Sequence, residues 1–247
     1  MSKQDAYRAK LRALVEWDAF LLAESGLPGP RANIELAQAV ADEGNIGLFR
    51  RYIAFSAESA PVNSPYEFLA FCGVVGMGRL LAEGERSLLP VLRGFASDPR
   101  WRIREAVAMA LQRIGDADMD VLVAEMNIWS LGTPLEQRAA AAGICEPRLL
   151  RLPQNALAAL DILQTITASI AHIEDRHNDG FLALRKGLAY CWSVAAAAYP
   201  DAGKKAMEAW LENEDKDIRW IMRENLKKNR LVRMDPEWVG HWRTRSA

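Results

Sequence analysis

A chain of 247 residues, half of them hydrophobic, is long enough to bury a full core as one large domain or two small ones. Its 31 basic and 32 acidic side chains leave a net charge of −1. That balance excludes a general electrostatic coat for nucleic acid and leaves room for a local basic surface.

The opening residues, MSKQDAYRAKLRALVEWD, are charged throughout and lack the apolar centre of a signal peptide. Cys72, Cys145 and Cys191 stand far apart in apolar runs, which reads as small buried hydrophobes in a reducing, cytoplasmic setting. The longest apolar run, residues 68–78, is well short of the roughly 20 residues that span a bilayer, so no membrane partner is expected.

Taken in order, residues 3–24 predict one amphipathic helix, with Asp18 interrupting its apolar stripe. Leu27-Pro28-Gly29-Pro30 breaks it. Asn33 then caps a helix that stops at Gly44, and a further helix covers residues 46–57. Ser64-Pro65 opens a helix through about Ala82. Its glycine-rich segment FCGVVGMG predicts close helix–helix packing. No strand precedes it and no Lys-Ser or Lys-Thr follows, so a phosphate loop is not expected.

Residues 85–95 and 98–115 form the next pair. In the second, Asp98 caps, Pro99 takes the first helical position and Gly115 stops the helix. Further helices are predicted over residues 118–129, from Thr133-Pro134, over 154–173, 181–199, 201–211 and 215–230. A tail holding Trp238 and Trp242 follows. No strand is convincing. The fold class is therefore all-α: about a dozen helices in antiparallel pairs, stacked as a HEAT-like α-solenoid. The whole chain, 1–247, reads as a single domain, with N-terminal helices over 1–60, repeats over 64–231 and the tail over 232–247.

An internal echo supports the repeats. Trp101-Arg102-Ile103-Arg104-Glu105 recurs as Trp220-Ile221-Met222-Arg223-Glu224. The spacing is about three units of about 40 residues, a common helical-repeat length. At 100° per residue both tryptophans point away from their helix's apolar face. Tyr190 does the same on the helix over 181–199, whose core face holds Trp192.

Trp101 and Glu105, at i and i+4, share a helix face and can meet one ligand, the indole through its quadrupole and the carboxylate by charge. The alternative is packing of Trp101 on the preceding helix and pairing of Glu105 with an arginine. Arg104, Arg138, Arg185, Lys186, Arg223, Lys227, Lys228 and Arg230 form either a ladder that tracks phosphates or solvated faces with ion pairs. His172 and His177, five residues apart, fall on different helical faces and no cysteine pair completes a set, so neither a metal nor a cofactor is expected. No nucleophile elbow, Walker loop or dinucleotide fingerprint is present.

These residues give the chain a likeness. It resembles HEAT-like repeat proteins and in particular the DNA alkylation repair glycosylases, over about residues 64–231. The segments that carry the likeness are DPRWRIREAVAMAL, ALRKGLAYCW and DKDIRWIMRENLKKNRL. The resemblance implies a basic, aromatic groove for duplex DNA. It implies Glu105 as the catalytic carboxylate, Trp101 and Tyr190 as the aromatics around the ligand and Arg138 as the arginine that holds the backbone. The internal echo adds Trp220 to the ligand-binding aromatics, and the basic ladder adds Arg104, Lys186, Arg223 and Lys227 to the phosphate contacts. Glu105 stands where the family has aspartate and Tyr190 where it has tryptophan. An added methylene displaces a carboxylate by about an ångström, enough to cost about 100-fold in rate. The first expectation is thus a binding module for DNA. The alternatives are an active alkylpurine DNA glycosylase and a scaffold for a protein partner.

Overall fold

Helix-starting chemistry is satisfied along much of the chain. In the computed structural model, which describes residues 2–245, Ser2 and Thr133 form capping boxes with Asp5 and Glu136. Asn33, Asn45, Ser64, Asp118, Asn178 and Asp215 each accept a backbone amide of the helix they precede. The described residues are all-helical apart from connections, without strands. Their α-helices divide between two compact units, one ending at Ala117 and the other beginning at Asp118.

The first unit contains α1 (Lys3–Arg12), α2 (Asp18–Glu24), α3 (Ile34–Glu43), α4 (Ile46–Ile53), α5 (Pro65–Ala82), α6 (Leu89–Phe95) and α7 (Trp101–Ala117). The first expected helix is in fact two. The Trp17 indole donates to the Leu11 carbonyl at 3.0 Å. Asp18 opens α2 and binds Arg51 and the Tyr52 hydroxyl, the latter at 2.6 Å. The interrupting aspartate therefore joins a distant helix. α7 also departs from expectation. Asp98 accepts the Arg100 amide at 2.8 Å, so the helix begins three residues later. Gly115 lies inside it. α5 and α7 run in the same direction, with Glu67 beside Arg102 near their starts and Gly78 against Ala110 further on. A side chain at Gly78 would stand 2.4 Å from the Ala110 Cα, and one at Gly76 2.3 Å from the Phe49 ring. The glycines thus permit the close packing expected of them.

Glu43, at the end of α3, joins α1 to it by accepting from Arg8 at 2.6 Å and Arg12 at 2.7 Å. The Arg12 guanidinium, supported by Arg8, holds its carboxyl down at about 2 against the opposing effect of burial. A depressed folded-state pKa contributes stability above the ordinary carboxyl value, lost as pH falls through the folded value. Glu43→Gln is therefore expected to melt below wild type at pH 7. Melting temperatures taken in steps from pH 5 to pH 2 should converge as the wild-type carboxylate protonates.

The second unit contains α8 (Met119–Trp129), α9 (Pro134–Ile144), α10 (Pro153–Ser169), α11 (Asp179–Ala198), α12 (Pro200–Leu211), α13 (Lys216–Leu226), α14 (Asn229–Met234) and α15 (Pro236–Arg245). α9 packs along α11, with Gly187 beneath the Arg138 stem, and α11 packs along α13. Arg185 meets Trp220 and Leu188 meets Asn225, so α11 and α13 are parallel and α12 is the return between them. Trp192 is fully buried and donates to the Thr167 hydroxyl at 3.0 Å. The expected tail is largely helix α15, anchored by buried Val239 and Trp242.

Candidate nucleic-acid interface

Sequence alone makes the start of α7 look like a ligand site, and its side chains divide into two kinds. Trp101 is exposed at 45%. The Arg102 guanidinium lies 4.4 Å from its ring centroid. Arg102 itself is buried, bound to Glu67 Oε2 at 3.2 Å, the Gly29 carbonyl at 2.6 Å and Asn63 Oδ1 at 3.2 Å. Arg100, also buried, pairs with Asp98 and donates to the carbonyls of Phe55, Ser56 and Ala60. Arg104 donates to the carbonyls of Asp98 and Pro99. Of the Asp98–Glu105 segment, then, Asp98 and all three arginines bind the connections of their own unit. Trp101 stays on the surface, and Glu105 is half-buried one turn further on.

In the second unit, α13 opposes a buried face of Ile218, Ile221, Met222, Asn225 and Leu226 with an outward stripe of Lys216, Trp220, Arg223 and Lys227. These fall at i, i+4, i+7 and i+11, one helical face. Trp220 is half-buried, and the Arg185 guanidinium of α11 stands 4.0 Å from its ring centroid. The Arg185 Nε stands 3.1 Å from Asp217 Oδ1, an ion contact without hydrogen-bond geometry. Arg176 spans Asp217 and Asp215 at 3.1 and 2.7 Å. Burial alone would raise the Asp215 carboxyl. Hydrogen bonds from Arg176 and from the amides of Asp217 and Ile218 outweigh it, leaving the carboxyl below its ordinary pKa. The α13 start is therefore a fixed, ionised network, with Arg185 laid over Trp220 at its end.

Beside this network lies a recess of about 380 Å³, walled by Arg176, His177, Arg185, Lys216, Arg219, Trp220 and Arg223, among others. Arg219 and Arg223 also border a second recess, of about 320 Å³, toward Trp242. Among the described residues Lys216, Arg219 and Arg223 are exposed cations without an acidic partner. By contrast Lys227 binds Glu224 at 2.5 Å.

On α11, Lys186 and Tyr190 are one turn apart on the outward face, both exposed. The Tyr190 hydroxyl accepts from Arg230 at 2.5 Å, and the Arg230 guanidinium lies 4.7 Å from its ring centroid. Lys228 approaches the same ring. Of the residues singled out from sequence, Trp220, Arg223 and Lys227 thus share one stripe, and Lys186 and Tyr190 share the outward face of the helix packed beside it. Arg138 is half-buried on α9. Trp101, Arg104 and Glu105 belong to the first unit.

Sequence reasoning passed over Lys216 and Arg219, although their spacing from Trp220 is visible in the pattern. The Asp217 network beside Arg185 joins residues far apart in the chain and carries no local signal.

Among the described residues no group of three or more His, Cys, Asp or Glu is placed to hold a metal ion, and no helix is long and apolar enough to cross a membrane. No family model, no curated protein and no solved structure matches the chain.

Proposed function

We propose that the second unit binds duplex DNA through the outward faces of α11 and α13, as a helical-repeat module. The observation that carries this reading is the exposed side of α13. There Lys216, Arg219 and Arg223, three neighbouring cations without acidic partners among the described residues, stand beside Trp220. Arg176, Arg185 and Lys227 are by contrast ion-paired. Unpaired cations on a fixed frame suit the phosphate backbone, whose recognition needs positive charge in register rather than a formed cavity. Tyr190, with Lys186, Lys228 and Arg230 around it, extends the same chemistry along α11. The reading concerns binding and draws on no group of α7.

Duplex affinity titrated against salt tests it. Each phosphate contact contributes about 0.9 to the slope of log affinity against log salt. The triple substitution Lys216→Ala, Arg219→Ala and Arg223→Ala is expected to flatten that slope by about 2–3 while leaving the melting temperature near that of wild type. A wild-type protein without measurable duplex affinity at low salt, or a triple variant with an unchanged slope, would overturn the reading.

A further inference from the structure

We infer that the recess beside Trp220 is a pocket for a single nucleoside phosphate, with the base on the Arg185–Trp220 stack and the phosphates on Arg219, Arg223 and Lys216. A surface that only tracks a phosphate backbone needs cations alone. This one also has a recess of about 380 Å³, within the range of small-ligand and cofactor sites. Its floor is layered. The indole of Trp220 is covered at 4.0 Å by the Arg185 guanidinium, a planar cation whose other face can take a nucleobase. Arg185 is charge-paired with Asp217, and Asp217 accepts a hydrogen bond from Arg176, so the platform is assembled before a ligand arrives. Both Asp217 oxygens are engaged by these arginines, which removes the carboxylate facing the recess as an obstacle to an anion. The rim is cationic, and among the described residues none of Lys216, Arg219 and Arg223 has an acidic partner to give up.

The chemistry required is therefore a flat heteroaromatic ring joined to a phosphate within the span of one nucleotide. A free nucleotide and the phosphorylated end of a strand both meet it. The pocket stands without the duplex reading, and the two fail separately. One depends on a planar platform, the other on charge along a face.

The test uses the full chain and calorimetric titration with adenosine diphosphate, inorganic pyrophosphate and adenosine. Adenosine diphosphate is expected to bind at least about fivefold more tightly than pyrophosphate, the difference being the stacked base. Arg185→Lys keeps the charge beside Asp217 and removes the plane. It should bring adenosine diphosphate down to the level of pyrophosphate, leaving pyrophosphate binding and the duplex salt slope unchanged. Arg219→Ala with Arg223→Ala should weaken both anions and not adenosine. Competition then identifies the source. Displacement of adenosine diphosphate by a 5′-phosphorylated oligonucleotide, and not by its 5′-hydroxyl counterpart, assigns the pocket to strand ends. Displacement by neither assigns it to free nucleotides. Equal binding of adenosine diphosphate and pyrophosphate by wild type, or an Arg185→Lys protein that still prefers the nucleotide, overturns the inference whether or not duplex binding survives.

Discussion

Arg102→Ala should destabilise the protein by about 3–5 kcal/mol, the cost of breaking a buried ion pair from one side. The Arg102 side chain is 5% exposed and that of Glu67 is 0%. Removing the guanidinium leaves the Glu67 carboxylate with the Asn63 amide, at 2.7 Å, as its remaining described donor. It also frees the Gly29 carbonyl and leaves Asn63 Oδ1 with the Gly29 amide alone, and so loosens two connections that Arg102 holds to α7. The network is not fully satisfied even in wild type, since Glu67 Oε1 and Arg102 Nε are buried without a hydrogen-bond partner. Replacing both partners with apolar residues of similar volume, Glu67→Leu with Arg102→Met, should therefore recover much of the loss. Denaturant midpoints of the single and double variants, at an unchanged m-value, measure this. A drop below about 1 kcal/mol for Arg102→Ala would mean that α7 is anchored by its apolar face alone. If Arg102 is the anchor described here, the arginine that follows the exposed tryptophan is structural. Part of what makes the Asp98–Glu105 segment resemble a DNA-binding motif is then the chemistry of closing a loop.

The same distinction explains how far the sequence could be read. Helix starts were legible wherever a short polar side chain precedes a good first turn, as at Asn33, Ser64-Pro65 and Thr133-Pro134, because the interaction is local. The all-helical class followed from the periodicity. Boundaries moved where a side chain with a local reading has a distant partner. Asp18 looks like an interruption of one helix and is the start of another because Arg51 and Tyr52 meet it there. Asp98 looks like a cap and is occupied with Arg100, whose guanidinium reaches the distant carbonyls of Phe55, Ser56 and Ala60. The candidate site divides in the same way. Its aromatics were visible as breaks in amphipathicity at Trp101, Tyr190 and Trp220. Which cations stay unpaired depends on ion pairs between separate helices. Arg185 and Arg176 meet Asp217 through the fold, whereas Lys216, Arg219 and Arg223 meet no carboxylate among the described residues, and composition treats all of them alike.

Asn225→Leu is expected to cost about 2–5 kcal/mol although it places an apolar side chain of similar size in a core position. Asn225 is fully buried on α13 and occupies the place that Ala106 has in α7, where the two tryptophan segments are aligned. Its amide nitrogen donates to the carbonyls of Leu188 and Ile221, at 2.9 and 2.8 Å. Its oxygen accepts the Ser193 amide at 2.8 Å. Two of these partners belong to α11, so one side chain joins the backbones of the parallel helices. Leucine removes three buried hydrogen bonds, at about 0.5–1.5 kcal/mol each, while the Leu188 carbonyl keeps its place in the backbone ladder of α11. Added apolar burial offsets only part of this, because the two methyl groups are bulkier than the planar amide and must be accommodated in a packed core. Asn225→Ala should cost at least as much, since it adds a cavity to the same loss, and Asn225→Gln, which keeps the amide and misplaces it, should fall between wild type and leucine. Denaturant unfolding gives the order. A leucine variant as stable as wild type would show that water or a shift of α11 satisfies the freed groups, and that packing alone holds the register of α11 and α13. If the order holds, the amide sets how the Trp220 stripe lies against α11. The duplex salt slope of the folded leucine variant should then fall toward that of the triple cation variant, with every cation still in place.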